Sequence, residues 1–324
     1  MSKNSFTYKL TNEQQESLFQ HLQSGNYTSV EVPHTRIAVA GNDYKVNLYN
    51  SGKCLIQGKG AEEWVSFVLE PEILKEFTLG YEDVLNPQLT SAHMGVDESG
   101  KGDFFGPMVV ASAFVDPETV EGLRALDVKD SKRITSDKKA LTMARDIRNV
   151  LKGRFNVVTI GNRAYNRLYA KMGNVNKILA WGHARTIENL LERVPDCPRA
   201  ISDQFGPKHQ IKNALMKKGK SIELEQMHKA ESDPAVAAAS ILARAGFIDA
   251  LRKLGQPWEL EIPKGASDRV KEVAVNLIGK QGPNILLDTA KCHFKTTDAV
   301  LSTAGFSRSD LEEDGQHTSK AYSR

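Results

Sequence analysis

Two adjacent acids, Asp97 and Glu98, follow an apolar segment and come directly before the glycine-rich sequence Ser-Gly-Lys-Gly at residues 99–102. Neighbouring carboxylates at the end of a strand repel each other unless a cation or a shared proton neutralises them. The glycines allow backbone N–H groups to approach a ligand closely, and Lys101 adds positive charge beside them. A divalent metal on the acids and a phosphate on the loop satisfy this pattern, whereas a polar β-turn would leave both acids solvated.

The glycine-rich loop differs from the two best-known phosphate-binding loops. Its spacing of Gly, Lys and Ser/Thr is not that of a Walker A loop. An apolar run at residues 108–115 follows it, so the loop returns to a strand, whereas the dinucleotide-binding fingerprint opens a helix. The pattern therefore predicts a strand that ends at the acids, a tight loop and a second strand.

Two further acids stand at the ends of predicted elements. Asp203 ends a short apolar strand, and Glu231 precedes a helix of mostly small residues at 234–244. Side chains at strand ends gather along one edge of an open sheet, so these acids can meet Asp97 and Glu98 there. Oxygen ligands suit Mg²⁺ or Mn²⁺ and not zinc. Four carboxylates that hold two such ions are an arrangement for phosphodiester hydrolysis.

The overall composition is that of an ordinary globular protein. The chain has 324 residues, which suggests two domains at roughly 150 residues each. Its formal charge of +3 is compatible with nucleic-acid binding but does not by itself indicate it. The three cysteines show neither zinc-site nor disulfide spacing. No signal peptide or membrane-spanning apolar run is evident, so we expect a cytoplasmic monomer without a membrane or an obligate protein partner.

Residues 1–85 predict a small α+β domain. A capping box at residues 11–14 opens a helix, and four short alternating strands follow between positions 28 and 58. A second helix is predicted from residue 61 to residue 69, because Pro71 should end it. The order helix, four strands, helix leaves one face of the sheet without helices.

The uncovered face of this predicted sheet is polar. Lys45, Asn47 and Tyr49 alternate with apolar residues on the third strand, so they share that face. Side chains of these types can lie along a nucleic-acid backbone. An ordinary solvated sheet face has the same composition, and the residues alone do not decide between the two.

The second predicted domain spans residues 92–305, after a linker at residues 80–91. Strands alternate with helices along it, which is typical of an α/β fold. The polar segment at residues 310–324 is predicted to be a disordered tail. All four acids lie in this second domain.

The sequence Asp-Glu-Ser-Gly-Lys-Gly-Asp-Phe-Phe-Gly-Pro, residues 97–107, resembles the signature of bacterial ribonuclease HIII, a type 2 ribonuclease H. Relatives of the HII kind usually carry Gly-Arg-Gly in this loop, so Lys101 and the Phe-Phe pair favour HIII. The resemblance extends from residue 92 to about residue 305. Supporting stretches lie at residues 130–132, 165–169, 174–191, 202–205 and 293–295.

This resemblance implies an RNase H fold, with a mixed five-stranded sheet and flanking helices, after an N-terminal domain similar to one repeat of the TATA-binding protein. It implies hydrolysis of the RNA strand of RNA/DNA hybrids with two Mg²⁺ or Mn²⁺ ions, leaving 5′-phosphate and 3′-hydroxyl ends. The family's catalytic, metal-binding acids correspond to Asp97, Glu98, Asp203 and Glu231.

The resemblance also indicates where the substrate binds. The backbone of Gly100, Lys101 and Gly102 is expected to read 2′-hydroxyls, which distinguish RNA from DNA. Ser131 and Lys132 are expected to contact the substrate, Lys132 through a phosphate, although a solvated loop lysine is an equal alternative. The N-terminal domain of the family favours substrate binding by the polar sheet face.

Three other functions remain open at this stage. A ribonuclease HII-like enzyme would incise at a single ribonucleotide in duplex DNA. A catalytically silent protein would bind hybrids without cleaving them, but the loss of an acid that this would favour is not seen. A different metal nuclease, such as a resolvase, is the third.

Overall fold

The computed structural model describes residues 4–75, 87–128, 136–203, 209–215, 219, 222–227 and 230–319. The chain divides into two compact units, Met1–Leu89 and Thr90–Arg324. The boundary between them falls inside the segment 80–91 that the sequence suggested as a linker.

The first unit is an antiparallel sheet whose strands lie in the order β1-β5-β4-β3-β2. Its strands are β1 (Ser5–Lys9), β2 (Thr28–Ser29), β3 (Thr35–Gly41), β4 (Tyr44–Tyr49) and β5 (Lys53–Gly58). Helix α1 (Asn12–Ser24) begins at the predicted capping box, in which Thr11 and Gln14 bond each other's backbone. Strand β1, a short edge strand that pairs with β5, was not predicted from the sequence.

The second helix of this unit continues beyond its predicted end. Helix α2 (Ala61–Trp64) passes into a π-helical segment, Val65–Leu74, that contains Pro71. The prediction that Pro71 stops the helix was wrong. In an α-helix a proline lacks the N–H that would donate to the carbonyl four residues back, and its ring clashes with that carbonyl. A π-helix pairs residues five apart, so the hydrogen-bond register at Pro71 is different. The segment ends at Lys75, which has a left-handed backbone with φ of 58°.

The second unit contains a mixed sheet in the order β10-β9-β6-β7-β8. Its strands are β6 (His93–Ser99), β7 (Met108–Val115), β8 (Phe155–Ile160), β9 (Arg199–Asp203) and β10 (Glu223–Met227). Strands β6, β7 and β8 are antiparallel neighbours, whereas β9 and β10 run parallel to β6. This sheet confirms the mixed five-stranded architecture that the resemblance implied.

Helices cover both faces of this sheet. The helices described in this unit are α3 (Pro117–Ala125), α4 (Asp137–Leu151), α5 (Asn162–Met172), α6 (Val175–Leu191), α7 (His209–Ala214), α8 (Pro234–Gly255), α9 (Asp268–Gln281), α10 (Ile285–Thr289) and α11 (Lys295–Thr303). The apolar side chains of α8 pack against one face, and those of α6 pack against the other. The two helices therefore enclose the strands that carry the acids.

Helix α8 is the central packing element. The segment Pro234–Trp258 is long and apolar enough to cross a membrane, but 67% of its most apolar window is buried inside the protein. A Cβ atom at Gly95 would clash with the backbone of Ala235 and Val236. The small residues of α8 and the glycine of β6 thus let helix and strand approach closely, which is the packing role predicted for them.

The C-terminal segment differs from the expected disordered tail. Up to residue 319, where the described part of the chain ends, it forms the short turns Arg308–Asp310 and Glu313–Gly315. Leu311 is 3% exposed within the core. The Arg308 guanidinium donates to the carbonyls of Cys292, Phe294 and Gly315. The polar composition of the segment did not indicate that one arginine would hold it in place through hydrogen bonds to these carbonyls.

Candidate active site

Asp97 and Asp203 stand on one face of the sheet at the ends of neighbouring parallel strands. Val96 of β6 pairs with Ser202 of β9, so Asp97 and Asp203 follow as neighbours on adjacent strands. Strands in a sheet lie about 4.8 Å apart, and laterally paired side chains point to the same side. The fold therefore brings together two carboxylates that are distant in sequence.

Asp97 faces α8, where the Ser240 hydroxyl donates a hydrogen bond to its carboxylate. Burial, together with the neighbouring charge of Glu98, raises the pKa of Asp97 to about 6. A nearby cation would stabilise the ionised form of a carboxylate whose charge is disfavoured in this way. The described side chains on this face, Asp97, Asp203 and Ser240, offer oxygen atoms as ligands, which fits Mg²⁺ or Mn²⁺.

Glu98 points to the opposite face of the sheet, toward α6. His183 Nε2 lies 3.0 Å from Glu98 Oε2, and the His183 side chain is only 1% exposed. Burial opposes the charge of Glu98, but the hydrogen bond and charge of His183, with the charge of Lys101, lower the pKa of Glu98 below its usual value. The two adjacent acids therefore have pKa values shifted in opposite directions, a pattern typical of catalytic carboxylate pairs.

The roles of His183 and Ser240 were not predicted from the sequence. His183 lies four residues after Leu179 and four before Ile187, both fully buried, so it occupies the apolar stripe of its helix. A histidine on such a stripe is a signal for a buried polar contact. Ser240 carried no comparable signal, since small residues dominate its helix.

The segment that contains Glu231 lies beside β9. Its main chain forms the turn Ala230–Ser232 before α8. Ala230 is fully buried against Ile201 and Val236. The side chain of Glu231 lies outside the described residues, and no group of three or more His, Cys, Asp or Glu close enough for one metal ion is found among the side chains that are described. The four-acid site therefore stays a prediction.

A buried ion pair fixes the start of β6 to the start of α8. His93 Nε2 donates to Asp233 Oδ2 at 2.9 Å, and His93 Nδ1 donates to the Ser91 carbonyl at 2.6 Å. Asp233 Oδ1 in turn accepts from the backbone N–H groups of Ala235 and Val236. This pair joins the strand of Asp97 to the helix that follows Glu231.

The glycine-rich loop has one constrained glycine and one open glycine. Gly100 has φ of +92°, and a Cβ atom there would clash with the Pro107 carbonyl. A Cβ atom at Gly102 would meet nothing within 4 Å. Lys101 and Gly102 are exposed. The first glycine is therefore required by the fold, and the second leaves the backbone accessible to a ligand.

The remaining predicted substrate contacts fall into two groups. Ser131 and Lys132 lie outside the described residues. In the first unit, Lys45, Asn47 and Tyr49 alternate along β4 with the buried core residues Val46 and Leu48. They therefore share the face opposite the core, with Lys45 exposed and Asn47 8% exposed.

Comparison with known proteins identifies relatives along nearly the whole chain. The family model described as Ribonuclease HII matches residues 94–297, and one described as Domain of unknown function (DUF3378) matches residues 5–78. Ribonuclease HIII of Protochlamydia amoebophila is 39% identical over 290 residues, which cover 90% of this chain and 94% of that protein. Ribonuclease HIII of Chlamydia pneumoniae is 40% identical over 300 residues, covering 92% and 98% respectively.

A similar solved structure is that of Bst-RNase HIII in complex with Mn²⁺. It aligns with a TM-score of 0.65 and 29% sequence identity, and the alignment covers 93% of this chain and 99% of that one. The similarity thus includes both units.

Proposed function

Because the chain belongs to the ribonuclease HIII group of the type 2 ribonuclease H family, we propose that it cleaves the RNA strand of RNA/DNA hybrids with two divalent cations. The family and the ribonuclease H activity expected from the sequence are confirmed. The Mn²⁺ complex of Bst-RNase HIII supports a dependence on divalent metal. The number of ions, their identity as Mg²⁺ or Mn²⁺ and the chemical ends of the products belong to the proposal.

The observation that carries the proposal is the position of Asp97 beside Asp203 on one face of the sheet. Asp97, Asp203 and Glu231 would hold the cations on this face, and Glu98, which here bonds His183 on the opposite face, would have to turn toward them to serve as the fourth ligand. Bound there, a cation pair would supply charge that activates a water molecule and stabilises the leaving oxygen. Hydrolysis in which the 3′-oxygen leaves and takes up a proton would give 5′-phosphate and 3′-hydroxyl ends.

The chain's own residues orient these acids. The Ser240 hydroxyl holds the Asp97 carboxylate. His183 holds Glu98 and lowers its pKa, which favours the ionised form that a cation would bind. Both supports come from buried helices on opposite faces of the sheet, so each acid is constrained from its own side.

Recognition of the hybrid is assigned to two surfaces. The exposed backbone at Lys101 and Gly102, beside Gly100, would donate to the 2′-hydroxyls of the RNA strand. Ser131 and Lys132 would contact the strand nearby, on the sequence resemblance alone. The polar face of β4, with Lys45, Asn47 and Tyr49, would lie on the backbone of the hybrid.

The test compares three labelled substrates: an RNA/DNA hybrid, a DNA duplex, and a DNA duplex with one ribonucleotide. We expect cleavage of the hybrid alone, with 5′-phosphate ends. Asp97→Asn should abolish turnover while leaving hybrid binding largely intact, since it removes a metal ligand and not the binding surface.

Each alternative has its own outcome in this assay. Cleavage at the single ribonucleotide would indicate an HII-like enzyme. Binding without cleavage would indicate a silent hybrid-binding protein. Normal turnover by Asp97→Asn would refute the assignment of the acids.

A further inference from the structure

A buried lysine supports the glycine-rich loop from within the protein. Lys291 is 0% exposed. Its Nζ donates to the carbonyl oxygens of Gly106 at 2.6 Å and Asp103 at 2.8 Å, and to that of Phe105 at 3.4 Å. The ammonium group has three hydrogens, and this arrangement gives each of them a carbonyl acceptor.

A buried lysine at this position would destabilise the folded protein unless its ammonium group made such hydrogen bonds. Removing an ammonium from water is unfavourable, and burial lowers the pKa of Lys291 to about 7. The aromatic rings of Tyr165 and Phe247 lie near the ammonium group, with centroids 5.9 Å and 5.8 Å from Lys291 Nζ. An apolar side chain would fill this space at lower cost. The hydrogen bonds to the loop therefore explain why a lysine, and not an apolar residue, occupies this buried position.

The backbone around Lys291 reinforces the same loop. The Lys291 N–H donates to the Phe104 carbonyl at 2.8 Å, and the Gly106 N–H donates to the Thr289 carbonyl at 2.9 Å. From the other side, Asn162 of α5 donates to the Gly106 carbonyl at 2.9 Å. Four consecutive residues of the loop, 103–106, are thus held by hydrogen bonds to the segment 289–291.

The exposed residues 100–102 come directly before the hydrogen-bonded residues 103–106. Lys101 and Gly102 are exposed, and Gly100 turns the chain with its positive φ. The position of residues 100–102 therefore depends on two anchors, strand β6 on one side and residues 103–106 on the other.

We propose that Lys291 is a positioning residue for RNA recognition. By fixing the carbonyls of Asp103, Phe105 and Gly106, it orients the backbone of residues 100–102 toward the 2′-hydroxyls of the RNA strand. The inference rests on the proposed role of this loop in reading those hydroxyls. It assigns a function to a side chain that touches neither the substrate nor the acids.

The experiment measures how strongly cleavage depends on a single 2′-hydroxyl. One hybrid has an all-RNA strand, and the matched hybrid carries one 2′-deoxynucleotide next to the cleaved bond. The ratio of kcat/KM for the two hybrids is the 2′-hydroxyl dependence. It is measured for the wild type, Lys291→Met and Asn162→Ala.

Thr186→Val is the matched control. Thr186 is also fully buried and hydrogen-bonded, through Ser112 and Asn156, but it has no bond to the loop. Both substitutions remove buried polar bonds in the same unit, so the control separates general destabilisation from a specific effect on the loop.

We expect Lys291→Met to raise KM about tenfold, to change kcat less than about threefold, and to reduce the 2′-hydroxyl dependence about fivefold. Asn162→Ala should show a smaller change in the same direction, and it provides the test if Lys291→Met does not fold. Thr186→Val should keep the wild-type dependence even if its Tm falls.

Two other outcomes have distinct meanings. A folded Lys291→Met enzyme with wild-type KM and wild-type 2′-hydroxyl dependence would overturn the inference about Lys291 alone. If the wild-type enzyme cleaves hybrids with no 2′-hydroxyl dependence, the proposed role of the loop in reading 2′-hydroxyls is refuted instead. Equal losses of dependence in Lys291→Met and Thr186→Val would also overturn the inference, because the effect would then follow stability.

Discussion

His183 Nε2 and Glu98 Oε2 lie 3.0 Å apart, on the face of the sheet opposite to Asp97 and Asp203. This bond crosses from α6 to the strand that carries both adjacent acids. It lowers the pKa of Glu98 although burial opposes the charge of that carboxylate.

Removing this histidine should move the pH dependence of catalysis. In His183→Ala the pKa of Glu98 rises, because the hydrogen bond and charge that lower it are lost. A larger fraction of Glu98 is then protonated at a given acidic pH, so the acidic limb of the kcat/KM profile should move to higher pH. At neutral pH we expect a loss of about tenfold, or ~1.4 kcal/mol.

His183→Gln is the control for this prediction. Its amide nitrogen can donate in place of Nε2, so part of the activity and of the acidic limb should return. An acidic limb at its wild-type position in His183→Ala would show that Glu98 does not depend on His183.

The buried pair of His93 and Asp233 should contribute strongly to stability. In His93→Leu the Asp233 carboxylate stays fully buried without its counter-charge. Breaking a buried ion pair by removing one partner typically costs about 3–5 kcal/mol. Urea unfolding should therefore show a decrease of that size in the free energy of unfolding.

The double variant His93→Leu with Asp233→Asn separates charge from packing. Asparagine also caps helices well, so α8 keeps its N-cap while the unpaired charge disappears. We expect the double variant to recover much of the lost stability. If the single and double variants unfold alike, the ion pair is not the source of the effect.

His293 should make the protein less stable in mild acid. It is 8% exposed, with ring centroids of Tyr169 and Tyr165 at 4.6 Å and 5.5 Å. Burial, with the charges of Lys291 and Arg308, lowers its pKa from 6.5 to about 4. Between these values the unfolded chain binds a proton that the folded chain does not. Stability from this residue is therefore complete above pH 6.5 and falls as the pH drops toward 4, by roughly 3 kcal/mol at most.

Urea unfolding of the wild type and of His293→Phe across this pH range checks the sign. The carboxylates titrate in both proteins, so the difference between their slopes isolates His293. The variant should lose less stability on acidification. Parallel curves for the two proteins would mean that His293 titrates normally in the folded state.

The polar face of β4 should bind the hybrid. We expect the combined substitutions Lys45→Ala, Asn47→Ala and Tyr49→Ala to weaken affinity about tenfold and to reduce its salt dependence. Turnover at saturating substrate should change little, since the acids lie in the other unit. Fluorescence anisotropy at several salt concentrations and steady-state kinetics measure the two quantities.

Lys59→Ala supplies the control, because it removes an equal charge at an exposed site between β5 and α2. Deletion of residues 1–85 should weaken affinity at least as much as the triple change. Wild-type affinity in the triple variant would show that this face is merely solvated.

The sequence predicted those features whose physical cause is local. The capping box at Thr11, the strand that carries Asp97 and Glu98 close to its end, and the tight turn at Gly100 each depend on a few consecutive residues. Alternation along β4 also sufficed to place Lys45 and Asn47 on one face. Short-range steric and hydrogen-bonding rules fix such features, so no knowledge of the fold was needed.

The supports of the site were not predictable in this way. His183 meets Glu98, and Lys291 meets Gly106, across long stretches of chain, and only the packing of helices on the sheet brings them together. The path of the helix through Pro71 depended on a change of helical register, and the folding of residues 310–319 depended on Arg308. The contacts of His183, Lys291 and Arg308 are tertiary, and local sequence patterns do not identify their partners.

Anomalous scattering from crystals soaked in Mn²⁺ tests most directly whether the separate acids form one metal site. We predict strong peaks at the corner of the sheet, within coordination distance of carboxylate oxygens from Asp97, Asp203 and Glu231, and their loss in Asp97→Asn. Mn²⁺ bound elsewhere, or a Glu231 side chain directed away from Asp97 and Asp203, would contradict the assignment of hydrolysis to these acids.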